Sequence, residues 1–146
     1  MSHAVMQLIT AFIGSLGFAI LFRVRREFLL VASLGGLFSW GIYLGAIAAG
    51  QSIFMSCLLA SAFSAFYAEL LARLRKAPGV LFFIPSVIPL VPGSNLYYTM
   101  HAMAVRDWPT AKLNAVLTLE YALAIALGLS VMWALLSMIR KLRHID

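Results

Sequence analysis

Ile84-Pro85-Ser86-Val87-Ile88-Pro89-Leu90-Val91-Pro92-Gly93-Ser94-Asn95-Leu96-Tyr97-Tyr98-Thr99-Met100 is the stretch on which the reading of the whole chain turns. It lies within an apolar run, Gly79 to Val105, that carries no charge unless His101 is protonated. At about 1.5 Å per residue such a run is long enough to cross a bilayer as a helix. Yet Pro85, Pro89, Pro92 and Gly93 fall in its middle. Each proline ring removes an amide donor and clashes with the carbonyl one turn back. The spacing predicts two half-helices, about Val80 to Leu90 and about Asn95 to Val105. Unwound backbone at Val91-Pro92-Gly93-Ser94 joins them.

The rest of the composition agrees that lipid is the solvent. Of 146 residues, 63% are apolar and only 11% charged. The mean hydropathy is +0.97. A soluble domain could not cover its surface with so few charges, and disordered chains are polar. The net charge of +6 does not point to nucleic acid. Nine of the eleven basic residues sit in three clusters: Arg23, Arg25 and Arg26; Arg73, Arg75 and Lys76; Arg140, Lys141 and Arg143. Each cluster ends a long apolar run, as topology signals do. One cysteine, Cys57, and three scattered histidines make neither a disulfide nor a metal site, so no cofactor or metal is expected. The first apolar run has no basic n-region or small-residue cleavage site and reads as a mature span.

Only helices and closed barrels satisfy their backbone in lipid, and no run alternates as a barrel strand does. The expected fold is therefore all-α, a polytopic membrane helix bundle forming a single transmembrane domain over residues 1–146. Its spans are about 4–22, 28–50, 53–72, 79–105 (broken) and 113–139. Five crossings put nine basic residues on one side and two on the other. By the positive-inside rule the N-terminus is then outside and the C-terminus cytoplasmic. Trp108 falls in an outer loop, where an interfacial aromatic is expected.

Helices in lipid associate through small residues. The third span carries Ser56, Ala60, Ser64, Ala68 and Ala72; the fifth carries Ala122, Ala126, Ser130 and Ala134. The first carries Ala11, Ser15 and Ala19, and the second Gly41 and Gly45 with Gly35, Gly36 and Gly50. Packing within the chain is the expectation for most of them.

The chemical centre is expected at the break. Ser94 and Asn95 are good N-cap residues, and the first amides of a half-helix lack partners and carry the positive end of its dipole. Such an end at mid-depth suits a carboxylate. The carbonyls of Leu90, Val91 and Pro92 would accept from an ammonium or hold a cation, and Tyr97 and Tyr98 would close over a small solute. Pro89, Pro92, Gly93, Ser94, Asn95, Tyr97, Tyr98 and the intramembrane Glu120 are the candidate substrate-binding residues; Glu120 would relay a proton or bind an ammonium. Glu69 reads as a structural ion pair with Arg73 at i+4. His101 reads as a polar residue near the outer mouth, and Trp40 and Tyr43 as packing residues.

Pro85, Ile88-Pro89-Leu90-Val91-Pro92-Gly93 and Leu96-Tyr97-Tyr98-Thr99-Met100 together resemble the threonine/serine exporter family, specifically its membrane-only second half. The resemblance runs over nearly the whole chain and departs at Ser94-Asn95, where family members often have glycine or another small residue. It implies a transport subunit in a bacterial cytoplasmic (inner) membrane that exports small hydroxy amino acids or, in some relatives, dicarboxylates. Pro89, Pro92, Gly93 and Tyr98 are the positions it carries over. Family members hold two membrane halves and this sequence holds one, so a larger membrane partner subunit is implied, with a homo-oligomer as a further arrangement. The alternative is a non-transporting assembly or stabilising subunit. An enzyme is not expected, since no HExxH, Walker loop or paired carboxylates are present.

Overall fold

Residues 2–143 are described by a computed structural model, and they form α-helices joined by short turns. The helices are α1 (Ser2–Leu21), α2 (Arg26–Ala48), α3 (Ile53–Arg75), α4 (Val80–Val87), α5 (Gly93–Ala104) and α6 (Trp108–Arg143). A single 3-10 turn, Ile88–Leu90, extends α4. Helices α1, α2, α3 and α6 are each long and apolar enough to cross a membrane. The α4–α5 pair, bent by 52° at its break, makes a fifth crossing if counted as one broken span. The architecture is the all-α polytopic bundle that the sequence predicts.

Helix endings repeat one device. After α1, α2, α3 and α5 the chain turns back so that an amide bonds the carbonyl five residues earlier: Val24 to Ala19, Gln51 to Ala46, Ala77 to Ala72 and Asp107 to Ala102. The turn residue is left-handed each time, Gly50 at φ 81° and Arg23, Lys76 and Arg106 at φ 54°, 49° and 60°. A cation at a helix C-terminus also complements the dipole. Asp107 caps the start of α6, and its carboxylate accepts from the Thr110 amide at 3.3 Å. Hydrogen bonding from Thr110 holds the Asp107 carboxyl below its usual range.

Large side chains face outward and small ones inward, as lipid demands. Leu30, Leu74, Leu119 and Trp133 are exposed, while Ser15, Ser33, Ser39, Ser56, Ser61, Ser64 and Ser86 are wholly buried. Helix α2 packs against α1, α3 and α4, and α6 packs against α3 and α5. At one end Val24 and Phe28 share a cluster with Leu71 and Phe82, so the Arg23–Arg26 and Arg73–Lys76 loops lie at the same end. Trp133 of α6 faces Glu69 and Val80 there, which brings the C-terminal half of α6, with Lys141, to that end too. The Arg140 and Arg143 side chains lie outside the described ones.

The small-residue stripes divide. Those of α3 and α1 pack inside: Ser56, Ala60, Ser64, Ala68, Ser15 and Ala19 are buried. The α6 stripe does not, since Ala122, Ala126, Ser130 and Ala134 are all exposed. Helix α6 meets α3 through Ala124 and Gly128 instead. On α2, Gly35 and Gly36 are buried whereas Gly45 borders open space.

Candidate functional site

The break in the fourth span is narrower than the sequence suggests. Only Val91 and Pro92 leave the helical path. Pro85 is accommodated inside α4. The last turn tightens so that the Val91 amide bonds the Ile88 carbonyl at 3.2 Å, the carbonyl that Pro92 has no N–H to serve. The expectation that Ser94 or Asn95 caps the second half-helix is corrected: α5 begins at Gly93, with Pro92 in the cap position and no side-chain cap bond. Proline's fixed φ is already close to helical, so it starts the helix before the polar residues are reached.

Consequently Ser94 and Asn95 lie within the first turn. The Gly93 amide bonds the Val91 carbonyl at 2.8 Å and the Leu96 amide bonds the Pro92 carbonyl at 3.1 Å. That corrects the second expectation, because the Val91 and Pro92 carbonyls are occupied. The Leu90 carbonyl and the Ser94 and Asn95 amides have no hydrogen-bond partner among the described residues. Two open amides at the positive end of a twelve-residue helix thus stand beside one open carbonyl.

These groups border a cleft of about 180 Å³ lined by Pro89, Leu90, Val91, Pro92, Ser94 and Asn95, with Trp40 of α2 and Tyr121 of α6 as its far walls. Trp40 and Pro89 also line an adjoining cleft of about 260 Å³ that reaches Gln7 and Thr10 of α1. Drug-sized pockets run to roughly 300–1,000 Å³, so the first cleft suits a solute of few heavy atoms. Its floor is built from aromatics. Trp40 stacks on Tyr43 with centroids 4.8 Å apart, and the Tyr43 and Tyr121 hydroxyls share a hydrogen bond of 2.6 Å. The buried Trp40 indole N–H finds no acceptor among the described residues. The arrangement can hold a carboxylate on the amides and an ammonium on the Leu90 carbonyl.

Of the predicted residues, Pro89, Pro92, Ser94 and Asn95 meet in this cleft. Gly93 is exposed at its edge, and a Cβ there would touch nothing within 4 Å. Tyr97 and Tyr98 do not close over it. They are 63% and 53% exposed and meet edge to face at 5.5 Å, while Tyr97 stacks on His101 at 6.2 Å. Glu120 is half-buried, within electrostatic reach of Tyr43, and makes no hydrogen bond or ion pair among the described residues. It is not among the residues lining either cleft. Sequence reasoning took Trp40 for a packing residue and passed over Tyr121, yet both line the cleft. Neither carries a local signal, because their role arises across helices.

The tyrosine pair gives a clean test of this floor. Tyr43→Phe or Tyr121→Phe alone leaves one phenol unpaired and is expected to lower stability by about 1 kcal/mol. The double variant should cost little more than either single one, as a double-mutant cycle of unfolding midpoints in detergent would show.

A family model described as Threonine/Serine exporter, ThrE matches residues 7–135, from within α1 almost to the end of α6. No curated protein and no solved structure matches the chain.

Proposed function

Since the chain belongs to the threonine/serine exporter family, a family of membrane transporters, we propose that it is a transport subunit moving small carboxylate-bearing metabolites. Threonine and serine come first, with dicarboxylates as the other class. The observation that carries this reading is the cleft at Val91–Pro92. There the open amides of Ser94 and Asn95 face a space shared with Trp40 and Tyr121. The amides receive the carboxylate, the Leu90 carbonyl receives the ammonium, and Pro89 and Pro92 keep the backbone from closing on itself. Glu120, one residue from Tyr121, supplies the ionisable group through which a proton is passed. Tyr97, Tyr98 and His101 line the approach from outside.

The chain sits in the cytoplasmic membrane of a bacterium with its N-terminus outside and its C-terminus inside, as its basic clusters favour. Transporters commonly build their site between two repeats. One broken span is half of such a pair, so the working unit includes a larger membrane partner of the same family, with several copies of each an extension of that arrangement. A transport-active monomer of this chain alone would refute the partner. The exposed Ala122–Ala134 stripe of α6 favours a second reading, a purely assembling subunit.

Pro92→Ala with Gly93→Leu separates the two. The leucine begins in open space, so the fold should survive while the break closes. Export of labelled serine or threonine from vesicles is expected to fall at least about tenfold, one lost charge-assisted contact's worth, with the complex still assembled. Normal export from an intact complex would defeat the transport reading.

A further inference from the structure

We propose that the cleft adjoining the break is a side-chain subsite, in which the Gln7 carboxamide and the Pro89 carbonyl select an amino acid whose side chain is polar but uncharged, a hydroxyl or a carboxamide. The inference rests on the transport reading above and narrows it, because such a subsite turns dicarboxylates away.

The two clefts share a wall. Trp40 and Pro89 line both the cleft of about 180 Å³ at Val91–Pro92 and the cleft of about 260 Å³ that reaches α1. A solute whose carboxylate meets the Ser94 and Asn95 amides in the first therefore has the second to receive its side chain. Gln7, Thr10 and Ala11 of α1 complete that second cleft.

The Pro89 carbonyl is open for a reason written in its neighbours. Three residues on stands Pro92, which has no N–H. Four residues on stands Gly93, whose amide bonds the Val91 carbonyl instead, at 2.8 Å. No other donor among the described residues bonds it. Gln7 lines the same cleft from α1. Its backbone carbonyl accepts from the Thr10 hydroxyl at 2.9 Å, so Thr10 is turned back onto its own helix. The Gln7 carboxamide makes no hydrogen bond among the described residues. A polar side chain within a membrane span is costly unless it is used. The Trp40 indole N–H is buried, which leaves Gln7 as the accessible donor.

An open acceptor and an open carboxamide on one cleft are complementary to a hydroxyl. The hydroxyl gives its proton to the Pro89 carbonyl and accepts from the Gln7 amide. A side-chain carboxamide satisfies the same two groups, and the roomier cleft holds its extra atoms. Alanine satisfies neither. The second carboxylate of succinate has no proton to give and sets its oxygens against the Pro89 carbonyl, a repulsive contact that discriminates as strongly as an attractive one.

The test uses unsealed membranes containing the full chain with its complex, so that both faces are reached. Ala11, at the cleft wall, is changed to cysteine, and protection of Ala11→Cys from a water-soluble maleimide reads solute affinity without transport. Serine and asparagine are expected to protect at concentrations roughly threefold to tenfold below alanine, and succinate should not protect in that range. In Ala11→Cys/Gln7→Leu, serine and asparagine should weaken to the level of alanine, with alanine itself changed less than twofold. Leucine in place of the exposed Gln7 suits lipid, so the fold should hold. Equal protection by serine and alanine, discrimination that survives Gln7→Leu, or protection by succinate equal to that by serine overturns the proposal. Movement of labelled serine in sealed vesicles keeps the two readings apart. If serine moves and any of those results is found, the subsite falls alone. If nothing moves but the expected protection is seen, transport falls and the subsite stands. Neither movement nor protection overturns both.

Discussion

Gly36→Leu is expected to leave no folded protein recoverable in detergent. A Cβ at Gly36 would overlap the Ser15 hydroxyl and stand 2.8 Å from Ser15 Cβ and 3.0 Å from the Pro85 carbonyl oxygen. The first two belong to α1 and the third is backbone of α4, so α2 is held between two helices at one residue. Ser15 is wholly buried and cannot swing aside. The Pro85 oxygen is helix backbone, and its usual donor one turn on is Pro89, which has no N–H. Over-packing a core by about one methylene costs roughly 1–3 kcal/mol. Leucine adds four carbons where none fits, against a total stability of about 5–15 kcal/mol. Gly36→Ala should give an intermediate loss. The measurement is the monodisperse fraction after extraction, followed by the thermal midpoint of what remains. Wild-type recovery of Gly36→Leu would mean that α1, α2 and α4 do not meet there.

The second large effect is expected at Gly128, where α6 crosses α3. A Cβ there would overlap the Ser61 hydroxyl and approach the Leu58 carbonyl oxygen to 2.5 Å and the Ala62 nitrogen to 3.2 Å. Two of these three neighbours are backbone, so relief requires the helices themselves to part. Gly128→Leu should therefore separate α6 from α3, destabilise the fold by roughly 1–3 kcal/mol or more, and strain the Tyr43–Tyr121 bond that ties α6 to α2. Gly14→Leu and Gly45→Leu are the controls, since a Cβ at either meets nothing within 4 Å. Both should behave as wild type. If Gly128→Leu matches them, the α3–α6 contact is looser than described.

How much of this is legible in the sequence follows the range of each interaction. The break is legible because proline acts on its own backbone, and Pro85, Pro89 and Pro92 make it without help. The ion pair of Glu69 and Arg73 is legible because four residues on a helix fix a distance. Which residue starts α5 is not, since Pro92 competes with Ser94 and Asn95 and local geometry decides. The contact face of α6 is not legible either. Ala122–Ala134 and Ala124–Gly128 are both rows of small residues, and only the neighbouring helix distinguishes them. Trp40 and Tyr121 come to the cleft from α2 and α6. No pattern within either segment announces a partner eighty residues away.

Helix α5 has one substantial neighbour, α6, and is tied to the rest of its own span through two residues without regular structure. It is in effect a passenger. Any tilt of α6 drags Ser94 and Asn95 along with it, while Trp40 and Pro89 stay behind with α2 and α4. The width of the gap between those pairs is then set by the posture of α6, so a protein or lipid leaning on the outward side of that long helix can widen or narrow it from a distance.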